Sequence, residues 1–267
     1  MKKYIFIAVA GILALSACSK IDDTQNAPRQ MTFTAGYNEG AQTRATMDFS
    51  TKKVSFDAND EISILSAKNT NTKFTTTAGG ASATFSGTAT DDSKFYAVYP
   101  YTAGLTLSGT TITGIVIPTS QWNAKWGDSS DNSGWDPKAP IAYATTTGSS
   151  LQFHNLCAIL KIKEESDNVT MTISADQDLA GTFSLDTSTG TLTATAGSKI
   201  VTIGGSIMRY LHGDDLYIAI APGVYTNFKV SAEQSTFMGI WKDERTKASV
   251  TFEAGKIYDL GSFSVHP

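Results

Sequence analysis

His154 and Cys157, in FHNLC, are residue types that serve nucleophilic catalysis. A catalytic thiol needs its base within hydrogen-bond reach. Side chains three positions apart on a strand point to opposite faces, so this spacing does not bring the imidazole to the thiol. The sequence holds no G-x-S-x-G motif and neither of the glycine-rich nucleotide-binding motifs. These observations predict that the protein is not an enzyme and binds no cofactor.

Metal ligands are the second kind of chemistry that the residue types could support. Zinc sites need clustered cysteine and histidine, whereas the two cysteines and three histidines of this chain are scattered. Asp128, Asp131 and Asp136 lie close together in the segment 119–140 and could offer oxygen ligands to calcium. Their spacing does not match an EF-hand loop. We therefore predict a solvated acidic loop and no metal site.

The same irregular segment carries Trp122, Trp126 and Trp135. Long loops in compact domains are often functional, and an exposed indole can lie flat against a sugar ring as it does against other apolar surfaces. The three tryptophans are therefore candidate glycan-binding residues of a surface-tethered lipoprotein. The alternative is that they pack together as the loop's own core.

Arg44 stands in GAQTRATMDF and is one of only four arginines in the chain. Segments of small polar residues such as this one are preferred sites of proteolytic cleavage. On composition alone, a solvated arginine in a turn is the simpler interpretation.

Residues 1–17 have the pattern of a lipoprotein signal peptide. Lys2 and Lys3 precede the apolar run YIFIAVAGILAL, which is too short for a comfortable transmembrane helix. The run ends in LSAC, which resembles the bacterial lipobox, where the cysteine, here Cys18, receives diacylglycerol. Acyl chains such as palmitate would then attach the precursor to a membrane. Residues 18–30 are expected to form a solvated tether.

Lipidation of Cys18 would leave Cys157 without a disulfide partner. We therefore expect Cys157 to be a small buried apolar residue. The residues SKIDD after the lipobox resemble the surface-export signal of Bacteroidetes lipoproteins, although Ile21 interrupts the usual contiguous pattern.

Alternation of apolar and polar residues recurs along the whole chain after residue 30, as in MTFTA, where Met31, Phe33 and Ala35 share one face. Threonine is abundant and suits the pleated surface of a sheet. Many short strands with regular turns favour a β-sandwich or barrel over a parallel α/β fold. The net charge of -4 and pI of about 5.4 offer no basic face to nucleic acid.

A domain boundary is predicted near residue 150, because TTTGSS at 145–150 is rich in small residues and carries no charge. The two halves also contain similar stretches, DDSKFYAVYP and GDDLYIAIAP. Both have an acidic turn, then alternating residues with aromatic side chains, then a terminal proline. The predicted domains are 31–150 and 151–267.

Several short motifs occur in an order that resembles the fimbrillin family, the type V pilins of Bacteroidales. They are TRAT at 43–46, FYAVYPY at 95–101, IPTSQ at 117–121, PIAYAT at 140–145, LQFHNLCAILKI at 151–162, YIAIAPGVYTNFKV at 217–230 and FEAGKIYDLGSF at 252–263. The resemblance implies an all-β fold of two tandem transthyretin-like β-sandwich domains. It also implies a precursor that is lipid-anchored in the outer membrane and reaches the cell surface.

In that family an arginine-specific protease removes the lipid-bearing segment and the first strand. The matching position here is Arg44, which would make Ala45 the new N-terminus and residues 31–44 the removable strand. Removal would uncover an apolar groove and unpaired backbone groups, and such an edge recruits another strand. A head-to-tail contact of this kind repeats into a fibre.

The expected donor strand is the C-terminal segment 256–266 of the next subunit. Its candidate apolar anchors are Ile257, Leu260, Phe263 and Val265. Phe263 and Val265 share a face, whereas Ile257 and Leu260 share one only if the strand bends near Gly261. The resemblance therefore implies a fimbrial subunit, of stalk or tip, whose partners are other subunits, the protease and an adhesion ligand on a host or bacterial surface.

Overall fold

A computed structural model describes residues 27–37, 46–48, 53–121, 136, 139, 141–166, 169–203, 215–237 and 239–265. These residues form twenty-one strands and no helix, so the prediction of an all-β fold is confirmed. A search of them for a helix of the length and hydropathy that crosses a membrane finds none. The first strands are β1 Arg29–Tyr37, β2 Thr46–Asp48, β3 Lys53–Ser55, β4 Glu61–Leu65, β5 Thr72–Thr76, β6 Ser82–Ala89, β7 Phe95–Tyr99, β8 Thr106–Ser108, β9 Thr111–Ile117, β10 Ser120–Gln121 and β11 Ala142–Thr146. The others are β12 Ser150–Asn155, β13 Ala158–Glu164, β14 Thr170–Ser174, β15 Ala180–Asp186, β16 Thr191–Ser198, β17 Ile200–Ile203, β18 Asp215–Ile220, β19 Gly223–Thr236, β20 Gly239–Phe252 and β21 Ile257–Phe263.

Seven strands close into a barrel in the order β1-β12-β11-β7-β4-β5-β6. Alternate residues of each strand point inward, as the period-2 pattern predicts. The family resemblance implied a sandwich here, whereas the strand pattern allowed a sandwich or a barrel. The barrel closes because β1 pairs on both of its edges and so joins β6 to β12. The interior is mainly aromatic and includes Phe33, Phe56, Phe74, Phe85, Phe95 and Phe153.

A second core is built from three further sheets, with the orders β10-β17-β14-β19-β20, β18-β13-β21 and β16-β15-β9-β8. Strands β2 and β3 form a separate two-stranded sheet. The second core also includes Leu65 and Val98, which belong to barrel strands β4 and β7. Their neighbours Ile64 and Ala97 belong to the barrel interior. One wall of the barrel therefore lies between the two cores.

The strands do not divide between the two cores at residue 150. Strands β11 and β12 pair with each other and lie in the barrel, so TTTGSS spans the turn of a hairpin. Strand β9, which comes earlier in the chain, pairs with β15 and contributes Ile112, Ile115 and Ile117 to the second core. The chain thus leaves the barrel after β7 and returns to it at β11.

Candidate functional site

Strand β1 contains residues 31–37 of the segment 31–44 that is predicted to be removable, and it occupies a closing position in the barrel. It pairs antiparallel with β6 from Arg29 to Gly36. On its other edge it pairs parallel with β12, from Thr34 to Tyr37. At its C-terminal end, β1 therefore uses the backbone hydrogen-bonding groups of both its edges. Loss of β1 would leave β6 and β12 each with an unpaired edge.

The side chains of β1 contribute directly to the barrel interior. Phe33 is 1% exposed, and its ring centroid lies 5.5 Å from that of Phe74 and 5.2 Å from that of Phe95. Ala35 is fully buried, and Met31 packs against the same core from a partly buried position. The face predicted from MTFTA is therefore the face that lies inside the barrel.

Burial of Phe33 stabilises the position of β1 more than the ion pair at its start does. The Arg29–Asp91 ion pair is 2.7 Å long, but its side chains are 62% and 53% exposed, and exposed pairs of this kind contribute about 0–1 kcal/mol. Burying a phenylalanine side chain contributes about 1.5–3 kcal/mol. The predicted processing residues Arg44 and Ala45, and the predicted lipidation residue Cys18, lie outside the described residues and stay predictions.

Strand β21, the predicted donor, lies at the edge of its own sheet and pairs parallel with β13. The pairing register shifts between Lys161 and Lys163, and Gly261 has a φ of 81°. A residue other than glycine adopts that backbone conformation only with strain. The bend expected near Gly261 is therefore present.

The four predicted anchor residues all contact the second core of the same chain. Phe263 and Val265 are 1% and 4% exposed. Ile257 and Leu260 are partly buried against the same core. Their role as anchors in another subunit remains a prediction, and the structure places them in an intramolecular contact.

Two residues of β20, Arg245 and Asp243, hold β21 from the neighbouring sheet. The Arg245 guanidinium lies over the Phe263 ring, with Cζ 4.0 Å from the ring centroid, and donates a hydrogen bond to the carbonyl oxygen of Ser262. It also forms a 2.9 Å ion pair with Asp243, whose Oδ2 accepts a 3.3 Å hydrogen bond from the backbone N–H of Ser264. Arg245 and Asp243, here called the β20 clamp, thus bridge two edge strands.

Ser166 holds Val265 in a similar way. Its hydroxyl accepts a 2.7 Å hydrogen bond from the backbone N–H of Val265 and lies 3.2 Å from the carbonyl oxygen of the same residue. One side chain therefore replaces the two contacts that a paired strand residue would make.

An ionic contact crosses the outer face of the β18-β13-β21 sheet. The Lys161 ammonium lies 3.1 Å from Asp215 and 3.3 Å from Asp259. The hydrogen bond to Asp215, followed by that to Asp259, raises the pKa of Lys161. The backbone N–H of Gly261 donates a 2.9 Å hydrogen bond to Asp259 and, together with Lys161, lowers the pKa of that carboxyl.

His154 and Cys157 are not brought together. His154 is exposed on β12, and its ring centroid lies 5.7 Å from that of Tyr143. Cys157 is fully buried, as the sequence predicted, and burial raises the pKa of its thiol to about 12. A thiol with this pKa is not a nucleophile at neutral pH.

The candidate glycan-binding residues Trp122, Trp126 and Trp135 lie outside the described residues and stay a prediction, as does the loop role of Asp128 and Asp131. Within the described part of the chain, no three His, Cys, Asp or Glu side chains come close enough to hold a metal ion.

Gln121, immediately before the tryptophan segment, was not singled out by sequence. It is fully buried and exchanges two hydrogen bonds with Ala219 of β18, of 2.6 and 2.9 Å. Its position immediately before the irregular segment 122–135 is the sequence signal that could have identified it. The β20 clamp had a weaker signal, the rarity of arginine in this chain.

No protein-family model matches the sequence, and no curated protein matches it. Among solved structures, a candidate cell adhesion protein from Bacteroides uniformis aligns with 88% of this chain and 93% of its own, at a TM-score of 0.51 and 17% identity. This chain is similar to that protein in fold. At this identity the likeness shows the fold alone.

Two fimbrial structures align more loosely. A fimbrial protein from Bacteroides ovatus has a TM-score of 0.38 and 12% identity over 87% of this chain and 50% of its own. A fimbrial assembly protein from Parabacteroides distasonis has a TM-score of 0.35 and 8% identity over 88% and 91%.

Proposed function

We propose that this chain is a structural subunit of a cell-surface fimbria that functions in adhesion. In this proposal it is made as a precursor with lipid on Cys18, is cut after Arg44, and assembles by strand exchange. The observation that carries the proposal is the position of β1, which closes the barrel and precedes Arg44 in the sequence. The barrel and the second core would correspond to the two transthyretin-like domains of the fimbrillin fold.

Cleavage after Arg44 would separate β1 from every later strand. Strand β1 would then be held by its backbone pairing, by the exposed Arg29–Asp91 ion pair and by buried residues such as Phe33 and Ala35. Its departure would expose the edges of β6 and β12 and an aromatic interior. An extended apolar segment from another subunit could restore both the hydrogen bonds and the burial.

The donor in this proposal is the C-terminal segment 256–266, which must first leave its own sheet. Release would break the β20 clamp, the contacts with Ser166 and the ion pair with Lys161. A docked β21 fits a subunit before exchange, and it equally fits a tip subunit that never donates the strand. The proposal covers both stalk and tip roles.

The first test treats the precursor with an arginine-specific protease, with an Arg44→Lys variant as the matched control. We expect the parent to lose residues 1–44, to begin at Ala45, and to form polymers that sedimentation and electron microscopy detect. The Arg44→Lys chain should form no polymer. Removal of residues 1–44 without any polymer would rule out the polymerising role.

A second test asks what fills the opened barrel. A labelled peptide with the sequence of residues 256–266 should bind the cleaved chain and not the intact one. The same peptide with Phe263→Asp and Val265→Asp should lose binding, because charged side chains would have to enter an aromatic interior. Equal binding of the two peptides would exclude these residues as anchors.

A further inference from the structure

A cut between residues 38 and 45 would break the chain beside β1 but would leave the contacts of β1 in place. The strand pairs with eight residues of β6 and with four of β12. In addition, the Thr34 N–H donates a 2.8 Å hydrogen bond to the carbonyl oxygen of Ser149. Since all of these partners follow the cut in the sequence, the cleaved β1 is a bound peptide and the other barrel strands are its receptor.

The backbone of β1 fixes the direction of any strand that takes its place. A replacement has to run antiparallel to β6 and parallel to β12, as β1 does. Main-chain hydrogen bonds accept almost any sequence, so selection among strands depends on the pockets for alternate side chains. In β1 the inward side chains are those of Met31, Phe33, Ala35 and Tyr37.

The position of Phe33 takes an aromatic ring. Phe33 is buried against the rings of Phe74 and Phe95, and its pairing partner on β6 is the buried Phe85. Tilted and edge-to-face contacts of this kind favour a ring over an aliphatic side chain. An alanine at this position would leave a cavity in the barrel interior.

The position of Ala35 takes a small side chain. Ala35 is fully buried, and it lies opposite Ala83 of β6 and Leu151 of β12, which are buried too. Neighbouring strands are only about 4.8 Å apart, so both flanks of this position are occupied. A leucine here would have to displace packed side chains, which destabilises a well-packed core.

The two outer positions are less demanding. Met31 is partly buried opposite Gly87, which has no side chain. Tyr37 is partly buried against the rings of Phe56 and Phe153. Because both side chains reach solvent, either can change in length without entering the packed interior. Selection therefore depends mainly on the two central positions.

We propose that the cleaved barrel is a binding site for an extended peptide segment in which an aromatic residue is followed, two positions later, by a small one. Strand β1 is the first occupant of this site and stays bound until another strand replaces it. The use of the site in assembly rests on the proposed function, in which cleavage precedes strand exchange. The site itself follows from the contacts of β1.

The C-terminal segment 256–266 meets this requirement in one register. With Phe263 in the aromatic position, Val265 falls in the small one, where it has two more carbon atoms than alanine. The alternative register of Tyr258 and Leu260 would put a still larger residue there. We therefore expect the segment to bind this site more weakly than the sequence of β1 does. Competition by the unlabelled peptide measures this, and stronger competition than by the β1 sequence would contradict the small position.

The test uses the full chain with the recognition sequence of a specific protease inserted between residues 38 and 45, so that cleavage does not depend on Arg44. After the cut, size-exclusion chromatography and mass spectrometry should find the N-terminal fragment in the same peak as the barrel. A fluorescent peptide of residues 27–37 is then incubated with the chain a few degrees below its melting temperature, which lets the resident strand exchange. Fluorescence anisotropy should show binding to the cut chain and not to the uncut one.

Peptide variants test the two central positions without altering the fold of the chain. Phe33→Ala and Ala35→Leu should each weaken binding about tenfold or more, the first by leaving a cavity and the second by overpacking. Thr32→Leu is the matched control, because it puts the same leucine on the exposed face of the strand. It should bind within about threefold of the parent peptide.

Failure of the parent peptide to bind the cut chain overturns the proposal, and so does an N-terminal fragment that leaves the barrel as soon as the chain is cut. Equal binding of the parent and the Ala35→Leu or Phe33→Ala peptide would show that the barrel does not select. None of these measurements involves a polymer. They are therefore distinct from a failure of the proposed function, which is shown by cleavage at Arg44 without polymers.

Discussion

The guanidinium of Arg245 makes three contacts at once. It lies over the Phe263 ring, donates to the carbonyl of Ser262 and pairs with Asp243. A planar group with several fixed donors can stack and donate simultaneously, which the single ammonium of lysine cannot. Because the three partners lie on β20 and β21, this side chain joins two sheets whose described strands do not pair with one another.

Replacing Arg245 should therefore loosen the end of β21. We expect Arg245→Ala to speed amide hydrogen exchange of residues 262–265 by about five- to thirtyfold, the factor that corresponds to one or two kcal/mol. Arg245→Lys should fall between the parent and the alanine variant. Mass spectrometry of the C-terminal peptide measures the effect. Lys247→Ala removes another exposed cation from β20 and serves as the control. Equal exchange in Arg245→Ala and Lys247→Ala would contradict the clamp.

The ion pair between Lys161 of β13 and Asp259 of β21 makes the stability of the β21 contact depend on pH. The pKa of Asp259 is lowered from its ordinary value of 3.8. Its contribution is therefore complete above that value and is lost as the pH falls through the lower folded-state pKa. The pKa of Lys161 is raised from 10.5, so its contribution is lost only as the pH rises through the higher folded-state pKa.

Asp259→Asn should lower the melting temperature at pH 6, and the difference from the parent should disappear well below pH 3.8. Thermal melts followed by circular dichroism over a pH series measure this. In a Lys161→Met background the effect at pH 6 should shrink, because part of the interaction is already gone. A difference that persists unchanged into strong acid would show that the carboxylate charge is not what holds β21.

Local pattern was enough to predict the strands but not their partners. Alternation in MTFTA predicted which face of β1 is buried, because a half-buried strand alternates whatever it pairs with. The bend near Gly261 followed from the spacing of the apolar residues of β21. In contrast, TTTGSS predicts a domain boundary near residue 150, although a run of small residues serves equally well as the turn between β11 and β12. The contacts that the β20 clamp makes with β21 could not be predicted, because Arg245 and Asp243 reach residues of a different sheet.

At the scale of the whole molecule, the two cores are interlocked. The chain supplies β1 and β4 to β7 to the barrel, β8 to β10 to the sheets of the second core, and β11 and β12 to the barrel again. A cut at residue 150 removes the fully buried Leu151 and Phe153 from the barrel. The same cut removes Ile112 and Ile117 from the second core. Each buried side chain of this size contributes about 1.5–3 kcal/mol, so either loss is large beside a total stability of about 5–15 kcal/mol.

We therefore expect that fragments 1–150 and 151–267, prepared separately, each fail to unfold cooperatively. Mixed together, they should recover a cooperative transition, because each supplies the strands that the other lacks. Near-ultraviolet circular dichroism during heating measures both states, with the intact chain as reference. A cooperative transition in either fragment alone would show that the halves fold independently and that the pairing of β9 with β15 contributes little. If the mixed fragments recover a cooperative transition, the whole chain is the folding unit and both cores form together.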